Sequence, residues 1–209
     1  MKNKVNNEKN VNNKKKVIRI SQFITYFIIA FMILQTFDFI EVVFSDKDAY
    51  EIRFEEPIGV INHQKVFRLY RDGECVDDVD YNLYMQMDEN GETDLKYCAL
   101  MEQAKRVSYN LILSIMMFVV SLIASDAVNG SPFTHINARR LRIIGWLQFA
   151  LALVPGLIVF TMHFFKFSYA NLSMDVKSFY MFVIFFAIMV VAQVFDYGVK
   201  LQEDMDSIA

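Results

Sequence analysis

The stretch NGSPFTHINARRLRIIG, residues 129–145, is a short polar hinge between two long apolar runs. It holds three arginines (Arg139, Arg140 and Arg142), no acidic residue, and a helix-starting signal in which Thr134 or Asn137 could cap the next helix. A polar turn this short, between apolar segments this long, reads as a loop joining two membrane-crossing helices. The flanking runs are residues 107–128 and 143–165. Runs 17–44 and 179–198 bring the number to four. A helix crosses the hydrocarbon in about 20 residues, and four such runs in 209 residues exclude an ordinary soluble domain. The expected fold is an all-α membrane bundle of four transmembrane helices, with a small β-rich extracytoplasmic insertion, residues 45–106, between helices 1 and 2.

Charge supplies the orientation. Lys2, Lys4, Lys9, Lys14, Lys15 and Lys16, followed by Arg19, oppose only Glu8 at the N-terminus, and the hinge carries its three arginines unopposed. Lys/Arg in short flanking segments stay in the cytoplasm. The tail 1–16, the hinge 129–142 and the C-terminal tail 199–209 are therefore expected inside, with segments 45–106 and 166–178 outside. Segment 45–106 has eight basic and fifteen acidic residues, and a loop of that length translocates largely regardless of charge. Tyr109, Tyr169 and Tyr180 at the outer ends, with Trp146 and Tyr197 at the inner ends, agree with this topology.

Residues 1–16, rich in Asn and Lys, are expected to be disordered, with Lys14, Lys15 and Lys16 set against lipid headgroups. In the first run, Gln35, Asp38 and Glu41 share a face and read as interfacial groups leading into the insertion rather than an ion path. Within the insertion, 50–54 and 66–70 alternate as half-buried strands. Asp72-Gly73 and Asn90-Gly91 are hairpin turns, the second joining YNLYMQMD to a strand-like TDLKYC. Cys75 and Cys98 are either bridged, closing a loop of about 24 residues, or two thiols. Ser121/Ser125 and Ala152/Gly156 have the spacing of close helix contacts, and Pro155 reads as a packing bend, with a gating kink as the alternative.

No catalytic constellation is visible. His63, His135 and His163 lie in separate segments without zinc or iron spacing, so no metal and no cofactor are expected, and no enzymatic activity. Asn110, Gln148, Gln193 and His163 are scattered polar residues within the runs, without the paired broken helices of a transporter. The informative face is cytoplasmic: Pro132, Phe133, Asn137, Arg139, Arg140 and Arg142 from the hinge, with Gln202, Glu203, Asp204 and Asp206 from the tail. There the arginines are either lipid anchors or half of a clasp that closes onto the acidic tail.

Ser131-Pro132-Phe133-Thr134, Asn137, Arg140-Leu141-Arg142 and Ile144-Gly145, then Phe195, Gly198, Leu201-Gln202-Glu203 and Asp206, resemble the signature of the bacterial membrane family of unknown function numbered 2975 (DUF 2975), over roughly residues 107–208. The resemblance implies an integral membrane protein without established enzymatic activity. It also implies a partner, because members are often encoded beside a small helix-turn-helix regulator. The expectation is a membrane sensor or antagonist of such a regulator, in contact with lipid, with no direct nucleic acid binding and with homo-oligomerisation left open. The alternative is a small transporter or an accessory subunit of a transport complex, using Asp38, Glu41 and Pro155.

Overall fold

A computed structural model describes residues 2–55, 66–79, 87, 91–128, 133–167 and 176–208. Pro132, Asn90, Tyr169 and His63 lie outside the described residues, as do the side chains of Lys14, Lys15, Lys16 and Asp206. In chain order the elements are α1 (Lys2–Phe44), a 3-10 turn (Lys47–Ala49), β1 (Tyr50–Glu55), β2 (Val66–Arg71), β3 (Glu74–Val79), α2 (Leu95–Val128), α3 (His135–Phe167) and α4 (Val176–Ile208). All four helices contain a span long and apolar enough to cross a membrane. The chain is thus a multi-pass membrane protein with a small antiparallel sheet between its first and second spans. Their large exposed side chains, such as Phe27, Phe37, Phe186 and Val194, are what lipid-facing surfaces require, since acyl chains leave no reason to hide apolar groups.

Each helix outruns the apolar run from which it was read. The Lys- and Asn-rich segment 2–16, expected without structure, continues α1; it has no Gly or Pro to stop a helix propagating outward from the span. TDLKYC is not a strand. Only Thr93 bridges to Met87, and α2 begins at Leu95. The reason is a cap: Asp94 Oδ1 accepts the Tyr97 amide at 3.0 Å, and the following ALMEQAKR is composed of strong helix formers. The hinge is shorter than expected because α3 starts at His135, and the acidic tail is helical to Ile208.

By contacts the chain divides into two compact units. The unit of Gln35–Val107 and Pro155–Leu172 carries the sheet, ordered β1-β2-β3. β1 and β2 pair antiparallel with Ile52 opposite Leu69, and Asp72-Gly73 turns β2 into β3. Both turn residues have positive φ (53° and 84°), the backbone of a two-residue hairpin whose twist matches its strands. A bulge between Leu69 and Tyr70 lets both neighbours be buried. Leu69 joins Val42, Tyr50, Cys98, Ala99, Met101 and Phe167 in a core, while the Arg53 guanidinium covers Tyr70 at 4.4 Å. Three strands alone are marginal; this sheet is completed by the ends of α1, α2 and α3.

Polar ties hold the same unit. Glu41 pairs with Arg71, which ties the end of α1 to β2. Lys166 reaches Asp94 at 3.0 Å, Lys47 lies 4.0 Å from the same carboxylate, and Tyr97 donates its hydroxyl to the Met162 carbonyl at 2.8 Å. Burial works to raise the Asp94 carboxyl, but the Tyr97 amide and then Lys166 and Lys47 outweigh it and hold the group below its ordinary value. The two cysteines are not joined in a disulfide. Cys75 is exposed on β3, whereas Cys98 is buried in the first turn of α2.

The second unit comprises Met1–Leu34, Ser108–Val154 and Ser173–Ala209. Within it α3 packs on α4 through Trp146, Phe149, Phe182 and Phe185, whose ring centroids lie 5.4–5.9 Å apart. Gly145 is a small residue that permits this approach. A Cβ on Gly156 would meet nothing within 4 Å, whereas one on Gly145 would lie 2.9 Å from Met189 Sδ. Ser121 is buried and returns its hydroxyl to the Phe118 carbonyl at 2.7 Å.

Candidate functional site

The start of α3 is set by Thr134, whose Oγ1 accepts the Asn137 amide at 3.2 Å. This is an N-cap, and it makes Thr134 rather than Asn137 the capping residue. Once the helix begins there, His135 and Arg142, seven residues apart, fall on one face. On α4, Asp196 and Glu203 have the same separation and share a face as well. The two faces meet. Arg142 pairs with Asp196, His135 Nε2 lies 3.1 Å from Glu203 Oε1, and His135 Nδ1 lies 3.7 Å from Asp196 Oδ1.

Just before the cap, Phe133 lies on Phe195 with ring centroids 5.1 Å apart, and its edge rests on Gly198. Any side chain at that position would displace the ring, so the glycine is there for close approach. The aromatic contact brings the two helix ends together, and the ionic contacts then set their rotation and register.

Arg140 points the other way, toward α2. Its Nη1 donates to Asp126 Oδ2 at 2.6 Å, to Asn137 Oδ1 at 2.8 Å and to the Leu122 carbonyl at 3.5 Å. Asn137 has no exposed surface, and Arg140 and Asp126 are both partly buried. A guanidinium with five donors is suited to bridging several acceptors on a neighbouring helix end. Arg139, Gln202 and Asp204 are exposed.

The anticipated clasp between arginines and the acidic tail therefore takes a different form. Two of the three arginines pair with acids, but with Asp126 and Asp196, which lie inside the apolar runs and were not counted with the tail. The tail's Glu203 is held by His135, a hinge residue outside the expected face. The available signal was the seven-residue spacing of Asp196 and Glu203, matched by that of His135 and Arg142. Chemically the face offers hydrogen-bond donors, acceptors and an imidazole. Among the described residues no group of three His, Cys, Asp or Glu side chains could hold a metal. The two carboxylates lie against opposite nitrogens of one ring, and so do not converge on a shared point.

A family model described as a protein of unknown function, DUF2975, matches residues 106–208. The matched stretch includes every residue of the face just described, and with it both arms of the aromatic and ionic contacts. No curated protein and no solved structure matches the chain.

Proposed function

The chain belongs to the DUF2975 family, and from that premise we propose that it is a non-enzymatic membrane protein whose α3–α4 signature face docks a small cytoplasmic helix-turn-helix regulator. The observation behind this reading is how the signature is divided. Phe133, Gly198, Arg142 and Asp196 join the helix ends to each other, while Arg139, Gln202 and Asp204 stand exposed beside them. A surface built by one set of residues and left open by another is arranged for contact with something else. The lysine-rich N-terminus and the arginines of this face support a cytoplasmic placement for it, in which the sheet-bearing insertion would lie outside and receive the signal.

Affinity capture of the full chain from solubilised membranes should recover a small DNA-binding protein. Arg139→Gln combined with Asp204→Asn should abolish recovery while leaving the fold intact, since both side chains are exposed. Capture of no such protein, or capture indifferent to these changes, would count against docking here. The alternative, solute transport, would use Asp38, Glu41 and Pro155, and of these Glu41 is paired with Arg71.

A further inference from the structure

The two parts of α3 are held by different neighbours. Through Gly145, Trp146 and Phe149 its first part lies on α4, against Met189 and the rings of Phe182 and Phe185. Its last part is fixed to the sheet-bearing unit. Tyr97 donates to the Met162 carbonyl at 2.8 Å, Lys166 reaches Asp94 at 3.0 Å, and Phe167 is buried in that unit's core. Contacts group residues up to Val154 with α4 and residues from Pro155 onward with the sheet.

The helix backbone is weakest at that point. Pro155 has no N–H, so the Leu151 carbonyl lacks its helical donor, and the pyrrolidine ring crowds the same carbonyl. Gly156 follows, the poorest helix former after proline, and a Cβ there would meet nothing within 4 Å. Close approach to a neighbour does not account for this glycine, which leaves its conformational freedom. One turn on, Thr161 Oγ1 donates to the Leu157 carbonyl at 2.7 Å, competing with the helical amide for that acceptor and loosening the turn. α1 and α2 pass between the same two groups of residues without Pro or Gly.

We propose that α3 is hinged at Pro155-Gly156, so that segment 155–167 swings against segment 135–154 while each keeps its own contacts. The swing is a property of the chain alone. Its regulatory meaning rests on the docking reading above: His135 and Arg142 stand on the first part of the same helix, so a change at the insertion would reach the signature face through this joint.

A bend of about 20° carries the end of a segment of about ten residues sideways by about 5 Å. Spin labels on Phe165→Cys, Tyr180→Cys and Leu111→Cys, all exposed positions, taken two at a time, read that displacement. The chain is the full one in lipid nanodiscs, with Cys75→Ser and with Cys98 buried. At least one distance distribution involving residue 165 should be broader than that of the pair at 180 and 111 by about 5 Å. Pro155→Ala combined with Gly156→Ala should remove the excess, and Gly156→Ala alone, which has room for its methyl group, should reduce it. Equal widths for all three pairs, or an excess that survives the double change, would overturn the hinge. No partner is present in the measurement, so either result leaves capture of a regulator to be judged separately.

Discussion

Phe133 and Gly198 meet so closely that a Cβ on the glycine would lie 3.2 Å from Cδ1 of the ring. The contact joins residues 65 positions apart at the polar ends of α3 and α4, and it explains two signature positions at once. A flat ring fills the space that an absent side chain leaves open.

Gly198→Ala sets two effects in opposition. The helix gains about 0.8–1 kcal/mol in propensity, while the ring must give by a few tenths of an ångström, so the net change should be small. Gly198→Val adds bulk that the ring cannot evade, with an expected cost of about 1–3 kcal/mol. Thermal unfolding in detergent should rank wild type and Ala close together, with Val well below. Gly145 should behave similarly, with Met189 as the neighbour that must move.

Arg140 and Asp126 should be energetically coupled. Asp126→Asn leaves a partly buried guanidinium with its neutral acceptors only and should cost about 1–3 kcal/mol. Exposure of roughly a third at the aspartate puts the expectation in the lower half of that range. Arg140→Gln together with Asp126→Asn should cost less than the sum of the single changes. Additivity within about 0.3–0.5 kcal/mol in a double-mutant cycle would show that the pair does not contribute as a unit.

Asp94 makes the stability of the sheet-bearing unit dependent on pH. Its carboxyl is held below the ordinary value of 3.8, so the folded state binds the proton less readily than the unfolded chain. The contribution is fully present above that ordinary value and is lost as pH falls through the lower, folded value. Asp94→Asn should flatten this acid limb while retaining the cap, whereas Asp94→Ala should also lose about 0.5–2 kcal/mol of capping. Chemical unfolding monitored between neutral and strongly acidic pH distinguishes the two variants.

Cys75 and Cys98 should differ sharply in reactivity, because one is exposed and the other buried. A membrane-impermeant maleimide applied to intact cells should label Cys75 alone, and Cys75→Ser should abolish labelling. Labelling only after the membrane is broken would put the insertion inside the cell and reverse the proposed topology. Labelling of Cys98 in folded protein would contradict its burial.

The four spans, their order and the place of the inserted sheet were legible along the chain, because membrane insertion is decided by local composition: about 20 apolar residues satisfy the bilayer wherever they occur. The Asp72-Gly73 turn was equally local, being a backbone requirement of two adjacent residues. Helix ends were less legible. Thr134 was one of two caps the hinge offered for α3, but Asp94 starts α2 well before its apolar run, and a hydropathy boundary does not report a side-chain cap.

The partners of the signature were decided by tertiary structure. Arginines at the hinge and acids at the tail suggested a clasp, but linear position cannot say which acid faces which base. That depends on the rotation of α3 and α4 about their axes, which the close approaches of Phe133 to Gly198 and of Met189 to Gly145 constrain together with the ionic contacts themselves. With the helices so turned, Arg142 meets Asp196, Arg140 meets Asp126, and His135 meets Glu203. The sequence by itself determined that this chain lies in a membrane; the close packing of α3 on α4, with Phe133 on Gly198 and Met189 on Gly145, decided which of its charges stand face to face.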